Sequence, residues 1–208
     1  TVTVNAVDDS PTVSSAISNQ TVNEDASNTT IDLTSVFTDV DNDDSAITKA
    51  VQSNSNSSLV SASISGNTLT LDYQADQNGS ATITIRGTSN GLTVDDVFVV
   101  TVNAVDDAPI VSSAIADQTV NEDDSNTTID LSSVFTDVDN DNSSISKAVQ
   151  ANTNTGLVSA SISGNTLTLD YQADQNGSAT ITIRGTSNLL TVDDVFVVTV
   201  NAVDDAPI

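Results

Sequence analysis

The stretch FTDVDNDD, Phe37 to Asp44, sets four aspartates into six consecutive positions and returns as FTDVDNDN from Phe135. Three further motifs add acidic or amide oxygens: VNED with Glu24 and Asp25, ADQNG with Asp76, and NAVDDAP with Asn103, Asp106 and Asp107. Carboxylate, amide and backbone oxygens are hard ligands. A crowd of them suits a divalent ion with about six to eight oxygen neighbours, and calcium accepts such an irregular shell more readily than magnesium. The spacing is not that of an EF-hand. Counted from Asp39, position six is Asp44 where that loop needs Gly, and position twelve is Ala50 where it needs Glu.

The charge balance sharpens the point. The chain is formally −25, with 29 acidic residues against four basic ones, Lys49, Arg86, Lys147 and Arg184. Nucleic acid is excluded as a natural partner, because phosphate binding needs clustered Lys and Arg. Direct contact with anionic lipid headgroups is disfavoured for the same reason. Cysteine and histidine are both absent. There are therefore no disulfides or thiolate metal sites, and the commonest general base of enzymes and the thiol nucleophile are missing. A small domain without disulfides needs another staple, and an oxygen-bound metal is one.

The carboxylates are positioned by a repeat. TVNAVDD occurs at Thr3, Thr101 and Thr199, a constant spacing of 98 residues, and Leu59 to Asn90 recurs unchanged as Leu157 to Asn188. This divides the chain into the end of a preceding repeat with its linker (1–9), two full repeats (10–105 and 106–203) and the start of a next linker (204–208). A pattern that opens and closes inside the repeat suggests a stretch of a longer array.

Within one repeat the apolar residues alternate. TTIDLTSVF places Ile31 and Leu33 on one face, LVSASIS turns Val60, Ala62 and Ile64 inward, and TLTLDY does so with Leu69, Leu71 and Tyr73. ATITIRG alternates Ile83 and Ile85 with Thr84 and Arg86, and DDVFVVTVNAV is apolar on both faces, as expected of a central strand. Turn signals SGN, DQNGS and SNG separate the runs. About seven strands per repeat predict an all-β chain of two tandem immunoglobulin-like antiparallel sandwiches.

Antiparallel strands alternate in direction, which sorts the motifs by end. VNED, ADQNG and the exit into NAVDDAP fall at one end of a repeat, and DVDND falls at the other. The linker then gathers Glu24, Asp25, Asp76, Asn103, Asp106 and Asp107 with Asp137, Asp139 and Asp141 of the second repeat. The same logic pairs Asp8 and Asp9 with Asp39, Asp41 and Asp43 at the start, and Glu122 and Asp174 with Asp204 and Asp205 at the end. Two carboxylates 4 Å apart repel by about 4 kcal/mol at an effective dielectric of 20, and the chain supplies no cation there. Several calcium ions, at the linkers and within domains (for instance near Asp95 and Asp96), are the expected cofactors.

These motifs resemble those of a known family. NAVDDAP is similar to the cadherin linker, VNED to its acidic segment at the base of the first strand, and DVD to its Asp-x-Asp. The combination most resembles the bacterial cadherin-like extender repeats of giant repeats-in-toxin (RTX) adhesins, over both repeats. On this resemblance Glu24, Asp106, Asp107, Asp137 and Asp139 carry over as ligands. The glutamate of the cadherin Asp-Arg-Glu motif has no match, Asp76 lying in the corresponding turn. The resemblance implies a calcium-rigidified spacer, extracellular and anchored to a cell surface as part of a larger adhesin, which holds a distal binding region away from the cell. The expected partners are neighbouring repeats of the same chain, with no small-molecule substrate, no enzyme activity and a monomeric state. The alternative is a calcium-dependent module that itself binds carbohydrate or protein.

Overall fold

The computed structural model divides the chain into two units, Thr1–Val105 and Asp106–Ile208, and describes residues 1–204. In the first unit the strands are β1 (Thr12–Val13), β2 (Gln20–Asn23), β3 (Thr29–Asp32), β4 (Phe37–Thr38), β5 (Thr48–Asn54), β6 (Val60–Ser65), β7 (Thr68–Tyr73), β8 (Gly79–Ser89) and β9 (Leu92–Asn103). The second unit repeats them as β10 (Ile110–Val111), β11 (Gln118–Asn121), β12 (Thr127–Asp130), β13 (Phe135–Thr136), β14 (Ser146–Asn152), β15 (Val158–Ser163), β16 (Thr166–Tyr171), β17 (Gly177–Ser187) and β18 (Leu190–Asn201).

In the first unit one sheet runs β2-β9-β8-β5 and the other β3-β7-β6, with β1 paired to β4 alone. The predicted immunoglobulin-like sandwich is therefore present, with two of its strands broken in half. β1 and β2 are the halves of a first strand that changes sheets, and β3 and β4 those of a second. All neighbours are antiparallel except β2, which lies parallel to β9 from Gln20↔Val100 to Asn23↔Asn103. The core joins both sheets: Leu33, Leu69 and Leu71 meet Ile83, Ile85, Phe98 and Val100, all fully buried or within 1% of it. Each of these residues lies on the inward side of an alternating run, so the period-two pattern is the direct cause of the packing.

The structure revises two expectations. The apolar run of β9 predicts a strand covered on both faces. It is central only in its hydrogen bonding, between β2 and β8. Its outer face is open, with Val97 56% exposed and its counterpart Val195 57% exposed. β5 escapes the alternation test because its inward positions are partly polar. Lys49 Nζ donates to Asn67 Oδ1 at 2.9 Å, and Asn54 Nδ2 donates to the Val60 carbonyl at 2.7 Å. Polar side chains here join the edge of one sheet to the β6–β7 hairpin of the other.

Glycine is required by packing at one position of each unit, and in the first unit backbone conformation favours it at another. A Cβ on Gly87 would lie 2.8 Å from the Phe37 ring, so the backbone of β8 must be bare for Phe37 to seat and anchor the acidic loop that starts after it. Gly185 holds Phe135 in the same way. At the β8–β9 turn Asn90 and Gly91 both have positive φ, 48° and 84°. That is the pattern of a two-residue hairpin in which glycine is the favoured second residue. The second unit has Leu189 there, at φ 76° and 92% exposed.

A branched side chain in the left-handed region is strained and here gains no burial. Leu189→Gly should stabilise the second unit by about 1 kcal/mol, and Gly91→Leu should destabilise the first by a similar amount. Urea unfolding checks both. An unchanged or lowered midpoint for Leu189→Gly contradicts the strain.

Candidate metal centre

Each unit carries acidic groups at both ends, and each end is built locally. At the end where β9 leaves the first unit, the Glu24 N–H donates to the Asn103 carbonyl at 2.9 Å and so prolongs the β2–β9 ladder. Glu24 Oε1 accepts the N–H of Val105, and the residue is only 4% exposed. The Asn103 side chain donates to Asn23 Oδ1 at 3.3 Å. Beside Glu24, Asp25 and Asp76 both adopt positive φ, 60° and 55°, and the Asp76 N–H donates to Asp25 Oδ1 at 3.1 Å. The second unit repeats this. Glu122 Oε1 accepts the Val203 N–H at 2.6 Å, and the Asp174 N–H donates to Asp123 Oδ1 at 3.3 Å. Asp204 is exposed, and Asp205 lies outside the described residues.

The opposite end centres on the loop after β4. Asp39 Oδ1 accepts the N–H groups of Asp41 and Asn42 at 2.9 and 3.1 Å, and the Asn42 amide at 3.4 Å. The Asn42 amide also reaches Asp8 Oδ1 at 2.8 Å, and Asp41 Oδ2 accepts the Asp9 N–H at 2.7 Å. The second unit forms the same knot. Asp137 Oδ1 accepts Asp139 and Asn140 N–H at 3.0 and 2.9 Å, Asn140 Nδ2 donates to Asp106 Oδ1 at 2.7 Å, and the Asp107 N–H donates to Asp139 Oδ2 at 2.8 Å. Residues Asp8 and Asp9, like Asp106 and Asp107, are thereby fastened to the unit that follows them. Asn103 to Val105 are fastened to the unit they leave.

One oxygen of each key carboxylate is saturated and the other is bare. Among the described residues, Glu24 Oε2, Asp39 Oδ2 and Asp137 Oδ2 are buried with no hydrogen-bond partner. A buried polar atom left unsatisfied costs about 1–3 kcal/mol, and more when charged. The buried Ser89 hydroxyl near Asp39, then the N–H groups of Asp41 and Asn42, hold that carboxyl below its usual range, so it stays ionised. For Asp137, burial pushes the carboxyl up, but the Ser187 hydroxyl and the N–H groups of Asp139 and Asn140 outweigh it. A buried carboxylate oxygen without a hydrogen-bond partner is a candidate ligand atom for a cation. The donor set around it is all oxygen, as calcium prefers.

Other acidic residues have different work. Asp43 and Asp141 cap short 3-10 turns, accepting Ser45 and Ser143 N–H at 2.9 and 2.8 Å. Asp44 Oδ1 accepts the Asp39 N–H at 2.8 Å, and Asn142 Oδ1 accepts that of Asp137 at 2.7 Å. An oxygen acceptor is all this position requires, which explains why Asp and Asn alternate there. Asp95 forms a two-pronged ion pair with Arg86 at 2.7 and 2.8 Å, and Asp96 is buried with Oδ2 on the Ile17 N–H at 2.7 Å. These two are therefore engaged by the protein itself. Sequence reasoning passes over Asn42, Asn140, Ser89, Ser187 and Asp123. The 98-residue repeat alone points to Asp123 as the twin of Asp25, whereas the serines lie far along the chain and only the fold brings them near.

No family model and no curated protein matches the chain. Among solved structures, the chain is similar to PcdhgB3 EC1-4 with 16% identity and a TM-score of 0.51, over 94% of this chain and 50% of that one. It also aligns with Protocadherin Gamma B7 extracellular cadherin domains 1-4 at 14% identity and a TM-score of 0.44, over 93% of this chain and 51% of that one. Endo-fucoidan hydrolase MfFcnA4 from glycoside hydrolase family 107 aligns at 17% identity and a TM-score of 0.40, the chain spanning 30% of its length. The first of these likenesses assigns a cadherin-like fold. The other two, at lower TM-scores, add nothing to that.

The Arg86–Asp95 pair has a definite pH signature. The Arg86 guanidinium holds the Asp95 carboxyl below its usual range, and Arg184 does the same to Asp193. A depressed folded pKa contributes stability above the unfolded value of about 3.9, and the contribution is lost as pH falls through the folded value. Asp95→Asn with Asp193→Asn should therefore lower urea stability at neutral pH, and the difference from the unaltered chain should shrink as pH falls below the unfolded value of about 3.9. A difference that persists into acid contradicts the pairing.

Proposed function

We propose that the chain is a pair of calcium-binding, cadherin-like spacer repeats from the stalk of an extracellular adhesin, similar to the extenders of RTX adhesins and anchored with its parent at a cell surface. The observation that carries this reading is the set of buried, unpartnered carboxylate oxygens on Glu24, Asp39 and Asp137. Glu24 and Asp25, with Asp76 beside them, supply ligands at one end of a repeat. Asp106, Asp107, Asp137 and Asp139 supply them at the start of the next, with Asp8, Asp9, Asp39 and Asp41 as the equivalent set in the first. Calcium held by groups on both sides of the short linker stiffens it, and without calcium the carboxylates repel and the linker bends. The product is reach and stiffness, with neighbouring repeats of the same chain as the partners.

The burial of every aromatic ring weighs against a sugar-binding module. All four Phe are 1% exposed and both Tyr 8% exposed, with each Tyr hydroxyl turned to a Thr. A stacking platform for a sugar needs an exposed ring. Catalysis is not favoured either, since the acidic groups lie at the ends of the sandwiches and carry structural hydrogen bonds.

Calcium at one hundred times its Kd adds about 2.7 kcal/mol per site. For a domain of this size that is a rise of roughly 10 °C or more in Tm. Glu24→Gln and Asp137→Asn should each remove part of the rise, measured against the same variant in chelator. Differential scanning calorimetry reads both. A rise of the same size in the variants would place the ions elsewhere. In small-angle scattering the radius of gyration should increase with calcium, and a value indifferent to calcium counts against the spacer role.

A further inference from the structure

The turn at which the two units differ carries a reactive pair of residues. Between β8 and β9 the first unit has Asn90-Gly91, and between β17 and β18 the second has Asn188-Leu189, each pair exposed in a two-residue turn. An asparagine side chain has an electrophilic amide carbon, and the nearest nucleophile is the backbone nitrogen of the next residue. Attack closes a five-membered ring. Gly91 lies outside both strands, and among the described residues its N–H bonds to no group. Beyond its chain neighbours, no atom lies within 4 Å of where a Cβ would stand. An unbonded N–H on a bare, exposed residue meets the least hindrance in reaching the amide carbon.

The Asn90 amide also holds the chain that enters the unit. It donates to Asp8 Oδ2 at 3.0 Å, while the Asn42 amide donates to Asp8 Oδ1 at 2.8 Å. Ser89, the residue before it, has its hydroxyl near Asp39. A change at Asn90 is therefore felt at the acidic end of the unit.

We infer that Asn90-Gly91 is a site of spontaneous covalent modification, deamidation through a succinimide, which replaces a donor to Asp8 by a carboxylate. The Gly91 nitrogen bonds to Asn90 Cγ, the Cγ–Nδ2 bond breaks, and ammonia leaves with the proton given up by the Gly91 nitrogen. Water then opens the ring. Opening at Cγ leaves aspartate, and opening at the main-chain carbonyl leaves isoaspartate, which adds a methylene to the backbone of the turn. No oxidant, enzyme or ion takes part, so the inference stands apart from the calcium reading. Either product withdraws the donor and adds a negative charge against Asp8, and the entering chain is loosened.

The other Asn-Gly pairs are held back by the fold. Asn78-Gly79 and Asn176-Gly177 are exposed, but Gly79 and Gly177 begin β8 and β17, opposite Val102 and Val200. Counted in alternate steps from the turn-closing pairs Ser89↔Leu92 and Ser187↔Leu190, these are hydrogen-bonded pairs of the ladder. Their glycine N–H groups are engaged. Asn188 is followed by a branched side chain that crowds the attack.

Incubating the whole chain for days in warm, mildly alkaline heavy-oxygen water, with peptide mapping by mass spectrometry, tests the site. Asn90 should lose ammonia and take up one heavy oxygen roughly ten-fold faster than Asn188, and ahead of Asn78 and Asn176. Gly91→Leu should abolish the reaction, and Leu189→Gly, which relieves strain and so keeps the fold, should raise Asn188 to the rate of Asn90. Equal rates at Asn90 and Asn188 in the unaltered chain, or an Asn188 still inert in Leu189→Gly, would overturn the site. Asn90→Asp supplies the product's charge without the reaction. Amide hydrogen exchange at Asp9, whose N–H is held by Asp41 Oδ2, should then quicken several-fold in chelator. Unchanged exchange would overturn the loosening of the entering chain.

Discussion

The structure turns on carboxylates that are ionised, buried and only half satisfied. Asp39 shows why they can exist. Backbone N–H groups of its own loop bond one oxygen and fix the loop, and the other oxygen is left buried without a hydrogen-bond partner. Glu24 does the equivalent at the other end with the Val105 N–H. The protein cannot answer these charges from its own stock. Its two arginines are engaged by Asp95 and Asp193, and Lys49 and Lys147 by the Asn67 and Asn165 amides. The proposed function answers them with an external cation, and oxygen donors suit a hard one.

This constraint orders the rest of the molecule. The sandwich keeps its acidic loops at the ends because strand alternation sends the β2–β3 and β7–β8 turns one way and the β4–β5 loop the other. Phe37 on Gly87 roots the loop in the core, so an ion bound by Asp39 is bound to the whole domain. Asp44 and Asn142 both supply an acceptor to the loop's first N–H, and Asp44 also accepts the Thr38 hydroxyl at 3.0 Å. Leu189 differs from Gly91 with a consequence, since its backbone is the one glycine favours.

Much of this is legible in the sequence where a single local signal exists. Period-two alternation finds the core strands, and strand direction sorts the acidic motifs by end. The missed features share a cause. β5 faces inward with Lys49 and Asn54, so burial there depends on hydrogen bonds that no hydropathy pattern records. β9 reads as covered on both sides because β-branched residues suit an open, pleated face as well as a buried one. Within the acidic motifs, composition does not separate Asp43, a cap, or Asp95, an ion-pair partner, from Asp39, a residue with a bare oxygen. That distinction rests on which donors the fold brings to each oxygen.

The central claim is that the bare oxygens are ligand atoms. Crystals of the chain grown with calcium, with diffraction collected where calcium scatters anomalously, address it atom by atom. Anomalous peaks are predicted about 2.3–2.6 Å from Glu24 Oε2 and from Asp137 Oδ2. Peaks confined to exposed carboxylates, with those two oxygens still bare or bonded to water, would contradict it.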